Sequence, residues 1–154
     1  SREENARLMA GVYASRGLSA LVFRGANTGL DELTTTDANQ VWLVSGGAVV
    51  ETAFDARESL GMAASSIEDL AGGEAAENAA VARDVLSGGG ADAVRDAVAL
   101  NVGAGILAWE GLDNPVTQAD FEQRMRGAVE RALAALADGS GARLVERWVA
   151  ASNG

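Results

Sequence analysis

Residues 19–36 read SALVFRGANTGLDELTTT, an apolar run that stops at Arg24 and gives way to a polar stretch punctuated by glycine. Ser19 to Arg24 has the length and the Leu-Val-Phe centre of a short, buried-type strand. Gly25 to Thr36 shows no apolar period and reads as the loop that leaves that strand. In open α/β sheets ligands gather beyond the carboxyl ends of strands, so this loop stands where chemistry is expected.

The flanking segments continue the alternation of helix and strand. Upstream, residues 3–16 carry Leu8/Val12 and Met9/Tyr13 at i,i+4 spacing and end at Gly17. They predict an amphipathic helix whose four large residues need a surface to pack on. The opening Ser1-Arg2-Glu3-Glu4 enters that helix without a Met and reads as a piece of a longer chain or an artificial start. Downstream, Val41 to Val44 and Val49 to Phe54 predict two strands joined through Ser45-Gly46-Gly47-Ala48, a hairpin signal.

Further along, Ser65 and Glu68 have capping-box spacing for a short helical turn that ends at Gly72-Gly73. Glu74 to Leu86 reads as a helix, and residues 87–90 (SGGG) as a flexible break. In residues 93–109, Val94, Val98, Val102, Ile106 and Trp109 make one apolar face, and Ala97, Leu100, Ala104 and Leu107 much of the other. A helix apolar nearly all round is buried on several sides, which predicts a central helix here. Asn114-Pro115 precedes a helix from near Thr117 with the stripe Phe121, Met125, Val129, Leu133 and Leu136. Residues 138–141 read as a turn and 144–151 as the last helix. There is no internal repeat and no Pro-rich linker, so one α/β domain or a piece of one is expected.

Composition narrows the chemistry. The 154 residues include no Cys, no His and no Lys, and all 12 basic residues are Arg. Cys nucleophiles, Ser-His pairs, thiolate or imidazole zinc sites, disulfides and Schiff-base lysines are therefore excluded within this sequence. What remains is carboxylates, Arg, hydroxyls, backbone donors or an oxygen-ligated hard cation such as Mg²⁺. Twenty-two acidic residues set the net charge at −10, which opposes binding to a nucleic-acid backbone. No apolar run approaches the ~20 residues of a membrane-spanning helix. No charged-then-apolar leader is present in the sequence, and a cytoplasmic location is expected.

Within the loop, Asp31 and Glu32 are adjacent. Two carboxylates ~6 Å apart at an effective dielectric of ~20 repel by about 2–3 kcal/mol. A divalent cation would remove that cost, since Mg²⁺ takes one or two carboxylates and fills its octahedron with water and phosphate oxygens. Spacing alone serves an ordinary solvated acidic loop at least as well, and both readings stay open.

Three motifs in order add to this: Gly29-Leu30-Asp31-Glu32-Leu33-Thr34, then residues 68–78 (EDLAGGEAAEN), then Arg95-Asp96-Ala97-Val98-Ala99-Leu100-Asn101. Together they resemble the anthranilate phosphoribosyltransferase family, over roughly residues 3 to 151. The resemblance implies an α/β domain of the phosphoribosyltransferase and nucleoside phosphorylase type. Residues 1–154 would be its C-terminal part, a short hairpin with several packed helices. The family's N-terminal helical domain and Gly-rich pyrophosphate loop would be absent, and the isolated piece inactive. The parent would transfer phosphoribosyl from phosphoribosyl pyrophosphate to the amine of anthranilate, in tryptophan biosynthesis. It would be a cytoplasmic homodimer, joined through a region missing here, with no nucleic-acid partner. The resemblance makes Asp31 and Glu32 ligands of Mg²⁺, directly or through water, against the pyrophosphate.

Departures from the family are visible. Arg24-Gly25 replaces a usual His-Gly pair, and Ala26-Asn27-Thr28 looks one residue longer than usual. Arg24 is read as a cap on the strand end. Asn78 and Asn101 are read as amides tying helices to neighbouring loops, and Arg95-Asp96 as a charge pair at a helix start. The glycine stretches at 71–74 and 87–92 follow helical segments and are expected to be structural turns. Two alternatives remain at this level: a related phosphoribosyltransferase or nucleoside phosphorylase with another acceptor, and a non-catalytic binding paralogue on the same scaffold.

Overall fold

The computed structural model describes residues 2–154, so Ser1 lies outside the described residues. The order is α1 (Glu3–Ser15), β1 (Ala20–Gly25), β2 (Asn39–Ser45), β3 (Ala48–Phe54), α2 (Ala56–Leu60), a 3₁₀ turn (Glu68–Leu70), α3 (Ala75–Leu86), α4 (Asp92–Glu110), α5 (Phe121–Ala137) and α6 (Ser140–Asn153). The fold is α/β. Its three described strands form an antiparallel meander in the order β1-β2-β3.

The sheet buries both faces at its centre, and the strand period of two sorts its side chains. Val41 and Leu43 of β2, with Leu21 and Phe23 of β1, face a core built with Leu100, Leu107, Phe121, Met125 and Val129 of α4 and α5. Trp42 and Val44, with Ala20 and Val22, face Ala6 and Ala10 of α1. The molecule is thus three layers, α1 on one side of the sheet and α4/α5 on the other. The β2–β3 turn follows from Gly46 (φ 58°) and Gly47 (φ 79°). Two successive left-handed residues make the type I′ turn that matches strand twist, and glycine adopts it without strain.

Three expectations about packing need correction. In α1 only Tyr13 of the four large residues packs, half-buried, against the sheet: Leu8, Met9 and Val12 are exposed, and the small Ala6 and Ala10 lie on the strands. Alanines let the helix come close to Trp42, which explains why the bulky stripe is turned away. In α4 the buried side is Ala99, Leu100, Gly103, Ala104 and Leu107. On the other face Val94, Val98 and Ile106 are partly buried against the core, but Val102 is 46% and Trp109 76% exposed, so that face is only partly covered. The capping pair of the 3₁₀ turn is Ser66 and Asp69, one residue on from Ser65 and Glu68. The Ser66 N–H donates to Asp69 Oδ2 (2.8 Å) and the Asp69 N–H to Ser66 Oγ (3.2 Å). Ser65 instead joins the loop, its N–H donating to the Thr35 carbonyl (3.3 Å).

Helix α2 has no counterpart in the sequence reading. Asp55 caps it by accepting from the Arg57 N–H (2.9 Å), and Gly61 (φ 73°) ends it. Both signals stand in the sequence, but five residues are too few to show a helical period.

The α4–α5 contact yields a paired test. A Cβ on Gly103 would meet Val129 Cγ2 at 2.8 Å and the Val129 nitrogen at 3.3 Å, whereas one on Gly105 meets nothing within 4 Å. Gly103→Ala is expected to destabilise the chain by about 1–3 kcal/mol through overpacking. Gly105→Ala should stabilise it by up to about 1 kcal/mol through helix propensity. Urea midpoints that shift in the same direction for both would contradict this packing.

Candidate functional site

The loop between β1 and β2 is folded on itself before the acids appear. The Gly25 N–H donates to the Leu30 carbonyl (2.8 Å), the Gly29 N–H to the Gly25 carbonyl (3.1 Å), and the Ala26 N–H to the Ala38 carbonyl (2.8 Å). Asp37 closes the base. Its Oδ2 accepts from the backbone N–H groups of Asn27 (2.7 Å) and Thr28 (3.0 Å), and its Oδ1 from the hydroxyls of Thr28 (3.2 Å) and Thr36 (3.3 Å). Burial pushes the Asp37 carboxyl up, but the Thr28 and Asn27 backbone donors and the two hydroxyls outweigh it. The carboxyl is held below the ordinary Asp value.

Beyond the tip the chain alternates sharply in exposure. Asp31 and Glu32 are exposed, and Leu33 is fully buried in the main core. Leu33 is gripped from α4: Asn101 Oδ1 accepts its N–H (3.1 Å) and Asn101 Nδ2 donates to its carbonyl (2.9 Å). Farther on, Asn39 Nδ2 donates to the carbonyls of Thr34 (3.1 Å), Asp37 (3.3 Å) and Phe54 (3.4 Å). The polar sequence of this loop therefore reflects internal hydrogen bonding as much as solvation.

The two acids stand on a ridge between two recesses. Asp31 borders a cavity of about 410 Å³ between α1 and β1, with Met9, Tyr13 and Phe23. Glu32 borders one of about 330 Å³ floored by Leu70, Val94 and Val98. Partial burial, a hydrogen bond with Asp31 and the Asp31 charge together raise the Glu32 carboxyl above its ordinary value. Among the described residues no group of three or more acids that could hold a metal ion forms. Two neighbouring exposed carboxylates without a third match a cation that completes its shell with water and ligand oxygens.

The other candidates fall into structural roles. Arg24 Nη1 donates to Gln40 Oε1 (2.6 Å), its cross-strand partner in the β1–β2 register. Arg95 pairs with Asp92 (2.8 Å) and Asp96 (3.6 Å) at the start of α4. Asn78 accepts from the Gly73 N–H (2.8 Å) and donates to the Gly73 carbonyl (2.9 Å), while the Glu74 N–H donates to Glu77 Oε2 (2.8 Å). Those donors are consumed, so the 71–74 stretch is a helix-capping turn. The 87–92 stretch is likewise a helix end, with the Gly89 N–H on the Asp84 carbonyl (2.9 Å). Asp37 and Asn39 were missed in the sequence; an Asp and an Asn at a strand entry give no local sign of the carbonyls and N–H groups they will reach.

With that geometry in view, the comparisons become informative. Residues 1–142 match the family described as Glycosyl transferase family, a/b domain. The chain belongs to that family. It is 47% identical over 154 residues to an anthranilate phosphoribosyltransferase of Arthrobacter sp. (strain FB24), covering 100% of this chain and 42% of that protein. It is 48% identical to that of Nocardioides sp. (strain ATCC BAA-499 / JS614), covering 96% and 41%. The crystal structure of anthranilate phosphoribosyltransferase from Thermus thermophilus superposes with a TM-score of 0.78 at 34% identity, over 97% of this chain and 40% of that one. A Saccharomyces cerevisiae variant with Mg bound shares the fold, with a TM-score of 0.76 at 20% identity over 94% and 39%. The family member described here therefore spans about two fifths of the length of the curated relatives it matches.

Asp37 gives the site a pH signature. Its folded carboxyl lies below the unfolded value of about 3.9, so the stability it contributes is full above pH ~4 and is lost as pH falls through the lower folded value. Asp37→Asn is expected to cost about 2 kcal/mol at pH 7. The gap from wild type in urea unfolding should hold down to about pH 4 and narrow below it. A gap of equal size at pH 7 and pH 3 would refute the assignment.

Proposed function

We propose that this chain is the C-terminal part of the α/β domain of a Mg²⁺-dependent transferase. That enzyme moves phosphoribosyl from phosphoribosyl pyrophosphate to the amine of anthranilate, a step of tryptophan biosynthesis. The observation that carries the proposal is the adjacent, exposed Asp31–Glu32 pair on a braced loop, in a chain 47% identical to a protein of that name.

Asp31 and Glu32 fit Mg²⁺ by donor type, number and exposure. Bound there, Mg²⁺ would neutralise charge gathering on the departing pyrophosphate. The chain's own residues prepare that site. Glu32, raised by partial burial and by its neighbour, gives up its proton more readily once a cation shares the pair. Leu33 and Asp37 fix the backbone on either side, so the carboxyls need little reorganisation. Acceptor recognition and the Gly-rich phosphate loop belong to the remaining length of the parent. Both described glycine turns follow helices and use their N–H groups internally.

The wider setting follows from the same reading. The net charge of −10 supports a small-molecule role without a nucleic-acid partner. Among the described residues no helix is long and apolar enough to cross a membrane. We place the parent in the cytoplasm, as a homodimer formed through a region outside this chain.

Two outcomes test the proposal. The 154-residue chain alone should turn over no anthranilate, since it lacks the phosphate loop; turnover by material free of longer species by intact mass would overturn that. In the full-length parent, Asp31→Ala or Glu32→Ala should lower the rate on the order of tenfold at limiting Mg²⁺ and less at saturation. An unaltered Mg²⁺ dependence in both variants would rule out the pair as ligands.

A further inference from the structure

Two asparagines in this chain do the same thing in different places. Each presents its amide to the N–H and the carbonyl of a single residue, as a neighbouring strand would: Asn78 to Gly73, and Asn101 to Leu33. Only Asn101 adjoins the acid pair. It shares a shallow depression on α4 with Glu32, Ala97, Val98 and Val102. Asn78 lines an adjoining apolar cavity that shares Leu70 and Val94 with the Glu32 recess but is bordered by neither Asp31 nor Glu32.

We propose that Asn101 is a positioning residue for the acid pair, holding the Leu33 backbone so that Asp31 and Glu32 offer their carboxyls together to one divalent cation. The inference rests on the metal reading given above and adds to it a side chain that would touch neither cation nor substrate.

Three observations support it. First, the amide orientation is determined by its partners. Oδ1 faces an N–H, while Nδ2 faces two carbonyls, that of Leu33 and that of Ala97 in its own helix (2.8 Å). The clamp is thereby locked to a helix that is itself buried through Ala99 and Leu100, just before it in the chain. Second, Leu33 has no exposed surface, so water has poor access to its backbone if the amide is removed, and the loop must shift to satisfy those groups. Third, Glu32 is the residue directly before Leu33 in the chain and lines the same depression as Asn101, so the clamp acts one peptide bond from the acid pair.

Linkage gives the test a wild-type arm. If the clamped loop is the form that takes the cation, the cation must strengthen the clamp by the same factor by which the clamp strengthens cation binding. The probe is Mn²⁺, followed by water-proton relaxation on the folded 154-residue chain. Asn101→Ala should weaken Mn²⁺ binding by about tenfold, the effect of losing roughly one net hydrogen bond of loop restraint. Asn78→Ala removes the same chemistry away from the acids. It should lower stability comparably while changing Mn²⁺ affinity by less than about twofold. In wild type, saturating Mn²⁺ should slow amide exchange at Leu33 by a factor near that lost in Asn101→Ala. A folded Asn101→Ala that binds Mn²⁺ like wild type overturns the proposal. So does Leu33 exchange that ignores Mn²⁺, a result obtainable even if Asn101→Ala does not fold. No Mn²⁺ binding by wild type removes the metal reading itself and this inference with it.

Discussion

Two like charges are kept side by side on a loop, and not turned apart into solvent, only if the backbone beneath them is held against their repulsion. Two carboxylates ~6 Å apart at surface-like dielectric repel by about 2–3 kcal/mol. Against it the loop sets Asp37 on the Asn27 and Thr28 amides, Asn39 on three carbonyls, and Asn101 on both polar groups of Leu33. Neutral bonds contribute about 1 kcal/mol each, and those to a charged acceptor such as Asp37 up to about 3. Even half of these restraints outweigh the repulsion. Full burial of Leu33 adds an apolar anchor worth roughly 2 kcal/mol one residue from Glu32.

That bracing depends in turn on the layered core. β1 delivers the chain to the loop with Leu21 and Phe23 on one face and Ala20 and Val22 on the other. α4 crosses the first face with Leu100 in the core and Asn101 turned to the loop, so one stretch of helix serves both packing and positioning. Moving α4 away from α5, as a side chain on Gly103 would, therefore acts on the site through a contact far from any carboxylate.

The strands, the hairpin and the long helices were legible because each rests on local rules: an unbroken apolar run in Val41–Val44, paired glycines at 46–47, period 3.6 in the Phe121 to Leu136 stripe. The family was legible through three ordered motifs. Three things were not. α2 is too short to show a period, and the Ser66–Asp69 box could not be told from a neighbouring register. The apolar residues of α1 and α4 are only partly packed: Tyr13, Leu100, Ala104 and Leu107 reach the core clusters, whereas others stay exposed. Periodicity reports which side chains are apolar, but not which of two apolar faces finds a partner within the chain. Leu8, Met9, Val12, Val102 and Trp109 all lie exposed here, as do Leu144, Trp148 and Val149 of α6. The sequence thus encodes more apolar surface than this two-fifths length of its relatives covers by itself.

Charge distribution is the last constraint. The 12 arginines face 22 acids, and many described guanidinium groups already meet a carboxylate: Arg7 with Glu3 and Glu51, Arg95 with Asp92, Arg124 with Asp120, Arg131 with Glu110. Arg24, nearest the loop in sequence, is engaged across the sheet with Gln40. An anionic ligand approaching Asp31 and Glu32 would meet two negative charges well inside the ~8 Å screening length of physiological salt. In the glycine turn at 71–74 the Gly73 and Glu74 N–H groups are already used within the fold. A divalent cation seated on the pair would cancel its two charges and so remove the local repulsion. The same two carboxylates that repel a diphosphate would then, through the cation, help to hold it.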